Sequence, residues 1–116
     1  MPKLIVALGI ILIPTALGAH PIQGVGAASC AQFTEMYQAS PDTMEREYFH
    51  WAQGLMSGLN LQAEAEGKPR RDLAGDVSIQ KRTIRDYCAN NPLKIYMNAV
   101  INLFVKQPLM PENLPR

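Results

Sequence analysis

Two histidines and two cysteines give this 116-residue chain little material for a metal centre or a nucleophilic triad. Neither His20 nor His50 has a second His or Cys at a ligand spacing, and there is no Cys–His pair within reach along the sequence. A glycine-rich phosphate loop and a nucleophile elbow are both missing. Eleven Lys+Arg against ten Asp+Glu leave a net charge of +1, which gives no electrostatic footprint for a nucleic acid. Carboxylates are not arranged for acid–base work either. Glu45 and Glu47 fall on different faces of one predicted helix, and Glu64, Glu66, Asp72 and Asp76 lie in or beside a predicted loop. These gaps argue against an enzyme, a cofactor, a resident metal and a nucleic-acid partner. The length excludes a TIM barrel or a two-domain dehydrogenase and allows one modest core. At 47% hydrophobic and 18% charged, the chain is too apolar to be disordered.

A membrane-length apolar run is also missing. Lys3 precedes an apolar stretch from Leu4 to Ile13; Pro14 breaks it and small residues follow. That order is the signature of a secretory signal, and Leu4 to Ala19 falls short of the roughly 20 residues of a stable span. Residues 1–28 are therefore expected to be a signal and small-residue linker, with an uncleaved N-terminal anchor as the alternative. The candidate cuts follow Ala19, or Ala27 or Ala28 in a second small-residue cluster, and no stable membrane span is expected after cleavage. The residues from His20 to Ser29 are expected to be disordered or removed. Export implies a periplasmic location, where an even pair of cysteines in a small domain is most simply a disulfide. Only one pairing, Cys30 with Cys88, is possible. Closing a loop of about 59 residues is worth about 4 kcal/mol in the chain-entropy account. A rival reading takes Ala27-Ala28-Ser29-Cys30 as a lipidation site at Cys30. Against it, the apolar run ends well upstream and Ala27 stands where a larger aliphatic residue is usual.

Four helices follow from the apolar spacing. The first runs from Cys30 to Ala39 with Ser29 as N-cap. The second starts at Ser40-Pro41-Asp42, with Asp42 and Glu45 at capping-box spacing, and reaches about Ala63. Its stripe is Met44, Tyr48, Trp51, Ala52, Leu55, Leu59 and Gln62. Gly54 and Gly58, four apart near that stripe, predict close approach of another helix or of a partner. Residues 64–76 read as a long solvated loop carrying Lys68, Arg70 and Arg71, which make a candidate partner loop. The third helix runs from Asp76 or Ser78 to about Asn90, with a stripe of Ile79, Thr83, Ile84, Tyr87 and Cys88. Lys81, Arg82 and Arg85 fall on its other side. Asn91 and Pro92 predict the start of a fourth helix reaching Lys106, with a stripe of Leu93, Tyr96, Met97, Val100, Leu103 and Phe104. The helical domain thus spans 29–106, and the proline-rich residues 107–116 are expected to be a mobile tail. The fold class expected is all-α, one small domain of about four helices with one disulfide.

Several segments carry a family resemblance. Ser29-Cys30-Ala31-Gln32-Phe33 opens the domain, Trp51-Ala52-Gln53-Gly54 sits in the second helix, and Gly75-Asp76-Val77 ends the loop. Ile84-Arg85-Asp86-Tyr87-Cys88-Ala89-Asn90-Asn91-Pro92 then carries the second cysteine. This order resembles the HdeA/HdeB-type periplasmic acid-stress chaperones over roughly residues 29–105. The resemblance implies a small exported helical protein with one disulfide that dimerises at neutral pH and binds client proteins in acid. The stretch from Trp51 to Asn60 and the junction from Tyr87 to Pro92 are also similar to a group of proteobacterial exported proteins. That likeness leaves a structural or interaction protein of the periplasm as a further reading. Gly54, Gly58, Tyr87 and Pro92 are similar to positions of the Rap/Tai-type immunity proteins of type VI secretion. This alternative implies a partner-blocking protein directed at a secreted cell-wall hydrolase, although the extra cysteines usual there are absent. The candidate interface is Tyr48, Trp51, Gly54, Leu55, Gly58 and Leu59, and a weak homodimer through the Gly54–Gly58 region is expected.

Overall fold

The computed structural model describes Pro2 and residues 21–112; the expected signal segment lies outside these residues apart from Pro2. The described chain has a short 3-10 turn (Gly24–Ala27) and four α-helices: α1 (Cys30–Ala39), α2 (Pro41–Ala65), α3 (Val77–Asn90) and α4 (Tyr96–Lys106). The fold is all-α, and a Cys30–Cys88 disulfide joins the first residue of α1 to the end of α3, with Cα atoms 4.6 Å apart. The Cys30 sulfur is thereby committed to Cys88 and not to a lipid. Among the described residues no helix is long and apolar enough to cross a membrane.

Local chemistry explains each boundary. A helix start leaves four N–H groups without intrahelical partners. At α1 the Ser29 hydroxyl accepts from the Gln32 N–H (3.0 Å), as its capping role predicts. Two more N–H groups are taken up from outside the helix: Cys30 N–H donates to the Lys94 carbonyl (2.7 Å) and Ala31 N–H to the Pro92 carbonyl (3.0 Å). Residues 92–95 are therefore occupied in closing the start of α1, with Ser29 and Ile95 forming an antiparallel bridge. For this reason α4 begins at Tyr96 rather than at Pro92, and Leu93, expected in its buried stripe, is 96% exposed. Asn91 caps nothing at the start of α4; its amide donates to the Tyr87 carbonyl at the end of α3.

Between α1 and α2, Pro41 takes the first helical position, where its missing N–H costs nothing. Ser40 is the N-cap without a side-chain bond, and Asp42 lies inside the first turn, so the expected Asp42–Glu45 capping box does not form. The helix runs two residues past its expected end. It closes through Gly67 at φ +67°, with Gly67 N–H donating to the Glu64 carbonyl and Lys68 N–H to the Ala63 carbonyl. That is a Schellman stop, and its left-handed residue suits glycine. The Asp76 carboxylate caps α3, accepting from the Ser78 N–H (2.8 Å), the Ile79 N–H (3.2 Å) and the Ser78 hydroxyl (2.6 Å).

The core draws on every helix: Cys30 and Phe33 of α1, Tyr48, Phe49, Ala52 and Met56 of α2, Ile84 and Cys88 of α3, and Tyr96, Ala99, Val100 and Leu103 of α4. The buried face of α2 is rotated from the expected stripe. It is centred on Phe49, Ala52 and Met56, with Met44, Trp51, Leu55 and Leu59 half-buried at its margins and Gln62 in solvent. On α3 the face is Gln80, Ile84 and Cys88, and Ile79 is exposed. Lys81 and Arg85 are only partly in solvent, each lying over an aromatic ring, Phe49 and Tyr37 respectively.

Two segments expected to be mobile are ordered. Residues 24–28 pack on α2 and α4. The tail returns along the loop: Asp72 N–H donates to the Pro108 carbonyl and Met110 N–H to the Arg70 carbonyl (both 2.8 Å), around an Arg71–Leu109 bridge. Only residues 113–116 of the expected tail lie outside the description.

Candidate functional site

Four aromatic rings gather where α1, α2 and α4 meet. Phe33 lies 5.0 Å from both Tyr48 and Tyr96, centre to centre, and Tyr48 and Tyr96 meet edge to face at 4.8 Å. Trp51 adds a second edge contact with Tyr96 at 6.2 Å. Burial pushes the Tyr96 hydroxyl far above the ordinary phenol range, and the Glu45 charge and then Tyr48 push it further. Burial also raises Tyr48, whose hydroxyl donates to the Met36 sulfur (3.4 Å). Tyr48 is therefore a core residue. Trp51 is half-covered, and its Nε1 donates to the Gln23 carbonyl (3.1 Å).

Glu45, at the edge of this cluster, pairs with Arg85 of α3. It is the only ion pair between two helices among the described residues, and both partners are largely covered, at 15% and 28% side-chain exposure. The guanidinium also lies 5.2 Å over the Tyr37 ring of α1. One arginine thus touches elements from α1 and α2 while standing on α3. Spacing arguments could not find this pair, because its members are 40 residues apart.

The remaining candidates separate into two groups. Leu55 and Leu59 are half-buried beside the core. Among the described residues, Gly54 and Gly58 instead face open space: a Cβ at either would meet nothing within 4 Å outside the helix's own backbone. The intramolecular helix packing expected at this spacing is therefore absent, and Leu61 extends the same open side at 68% exposure. The expected cluster of six divides into a covered edge around Tyr48, Trp51, Leu55 and Leu59 and an open small-residue face.

In the loop, Lys68 is exposed and pairs with Glu66, which holds the Lys68 ammonium above and the Glu66 carboxyl below their usual ranges. Arg70 pairs loosely with Glu64 (3.7 Å). Arg71 serves the fold itself. Its guanidinium donates to the Val105 and Gln107 carbonyls (3.0 and 2.8 Å) at the C-terminal end of α4 and lies over Phe104. Its main chain is held at both ends by Asn60, whose amide donates to the Arg71 carbonyl and accepts from the Arg71 N–H. The last carbonyls of a helix attract cations, which accounts for the position of Arg71. Asn60 gave no functional signal beyond closing the Trp51–Asn60 motif.

Two shallow clefts complete the surface. One, of about 320 Å³, lies between the loop and the tail near Lys68, Arg70 and Met110; the other, of about 310 Å³, lies between α3 and α4 beside Tyr87, Asn90 and Asn102. The second cleft also holds Thr83, Asp86 and Lys106, but the Thr83 hydroxyl donates to the Ile79 carbonyl (2.9 Å). No group of three metal-binding side chains occurs among the described residues. Compared with family models, curated proteins and solved structures, the chain matches none.

Proposed function

We propose that this is a non-enzymatic exported protein of the periplasm that binds other polypeptides, acting as an HdeA/HdeB-like acid-stress chaperone. The observation that carries the reading is the Glu45–Arg85 pair. It locks α2 to α3 in the aromatic region and depends on a carboxylate staying ionised. Arg85 is the cation facing Glu45; Glu45 also acts on the Tyr96 phenol, and across the guanidinium lies the Tyr37 ring. Strong acid protonates the carboxylates of the chain, and a half-buried Arg85 left without its counter-ion is a costly state. At the same time the ten acids of the exported chain are neutralised. Its ten Lys+Arg, counted without Lys3, and His50 then give a net charge of about +11, or about +12 where His20 is retained, which favours expansion. The Cys30–Cys88 bond limits how far the chain opens, so apolar side chains become available without full unfolding. Aggregation of an acid-sensitive client at pH 2–3 tests the reading. The protein is expected to suppress it, and Glu45→Gln is expected to shift suppression to higher pH. No suppression by a monodisperse protein ends the acid-chaperone reading.

A second reading takes the open Gly54–Gly58 face of α2 as its support. In it the face docks on one cognate protein, as in an immunity protein that blocks a hydrolase, or on a second copy as a weak homodimer. Sedimentation at tens of micromolar at pH 7 separates the cases. A dimer abolished by Gly58→Leu favours the homodimer; a monomer that gains mass only with a hydrolase encoded beside it favours the immunity role.

A further inference from the structure

Three leader cuts are open on sequence grounds, after Ala19, Ala27 or Ala28, together with a lipoprotein cut before Cys30. We infer that the leader is removed at the Ala19–His20 bond and that residues 21–28 stay with the exported domain as a structural strap over Trp51. The inference rests on the export reading. Three contacts carry it. The Gln23 carbonyl accepts from the Trp51 Nε1 (3.1 Å), so the indole loses its acceptor if Gln23 is cut away. Gly26 is buried directly against the six-membered ring of the same indole; a Cβ built there would overlap Cζ2 and Cη2, so glycine is required by the close approach and not by turn geometry. The Ala28 carbonyl accepts from the Tyr96 N–H (2.8 Å), the first helical N–H of α4.

A cut after Ala27 or Ala28 would strip the strap from Trp51 and expose its ring together with part of the Tyr96 neighbourhood. A cut after Ala28 would also leave the start of α4 unclosed. A lipoprotein cut would remove Ser29, the N-cap of α1, and would need the Cys30 thiol that the disulfide holds. Of these candidate cuts, the one after Ala19 lies upstream of all three contacts. It also leaves Pro14-Thr15-Ala16-Leu17 between the apolar run and the small Gly18-Ala19 pair at the scissile bond, in the order of a leader. The step is hydrolysis of one amide by a signal peptidase. Water adds across the Ala19–His20 bond, leaving a carboxylate on Ala19 and an amine on His20.

The test expresses the full chain in a bacterium with two membranes and reads the N-terminus of the periplasmic protein by sequencing and non-reduced intact mass. A chain starting at His20 is expected. A start at Ala28 or Ser29, an acylated Cys30, or an exported chain that keeps its leader overturns the inference while leaving export standing. An uncut chain retained inside the cell overturns the export reading and the inference together. The strap itself is read through Trp51, the only tryptophan. Gly26→Leu, and more mildly Gly26→Ala, are expected to move its emission to longer wavelength and lower Tm with helical circular dichroism retained. Unchanged emission in both variants overturns the strap.

Discussion

The two ends of the domain are held by different means. At the disulfide end, α1, α3, α4 and the 24–28 strap converge on Cys30, Cys88, Phe33 and Tyr96, where a covalent bond and apolar packing lie beneath a few backbone hydrogen bonds. At the loop end, residues 60–76 meet the end of α4 and the tail, and the contacts are directional hydrogen bonds around Asn60 and Arg71. An apolar junction forgives small shifts and scales with buried area. A hydrogen-bonded clasp contributes modestly when complete and costs more when one partner is removed. The lesson is that order in an 11-residue non-helical connection (66–76) does not require a core of its own.

The largest test of this contrast is at the disulfide end. Replacing both cysteines by alanine is expected to lower stability by about 4 kcal/mol, the loop-closure value. Phe33→Ala, with the disulfide intact, is expected to cost roughly 3–5 kcal/mol by opening a cavity among three rings. Denaturant midpoints at constant slope measure both, and a loss below 1 kcal/mol for either would place the stabilising centre elsewhere. Next comes Asn60→Ala, which leaves the Arg71 N–H and carbonyl without partners and is expected to cost about 1–3 kcal/mol. Hydrogen exchange locates the loss: faster exchange is expected at the Asp72 and Met110 amides, with Cys30 and Tyr96 unaffected. Loss spreading equally to both ends would mean that the ends are one cooperative unit.

The smallest effect concerns pH. Asp76 is held below the usual carboxylate range, first by the Ser78 hydroxyl and then by the Ile79 and Ser78 N–H groups. Its folded pKa is therefore lower than its unfolded one. The cap contributes fully above the unfolded value near 4 and is lost as pH falls through the folded value. Asp76→Asn is expected to keep the cap and flatten the acid limb of the Tm–pH curve slightly. An identical limb in both proteins refutes the assignment. Because Asp76 is exposed, the effect is small.

Legibility in the sequence followed the range of the interactions. Cap residues and stop signals act within four positions, and Ser29, Pro41 and Asp76 were readable for that reason. The cysteine pairing was readable because only two are present. The rotation of the α2 face was not readable: Trp51 and Tyr48 are large enough to suggest a stripe, yet Phe49, Ala52 and Met56 hold its centre, in the core that α2 shares with α1 and α4. The pairing of Asn91-Pro92 with a helix start failed because Cys30 and Ala31, some 60 residues upstream, need those carbonyls. Arg71 read as a solvated base for the same reason, its acceptors lying 34 and 36 residues away. Gly54 and Gly58 signalled close approach, but small size on a helix is as compatible with an open face as with a crowded one.

The position of the disulfide has a mechanical consequence. Cys30 is the first residue of α1 and Cys88 lies 58 residues later, so tension applied to the two ends of the chain passes through the sulfur bridge and bypasses everything between. Under load only the strap, α4 and the tail lie on the path and peel away, while α2, the longest helix, bears no force. Cutting the bridge would add slack of roughly 190–210 Å of contour, 58 residues at 3.3–3.6 Å each.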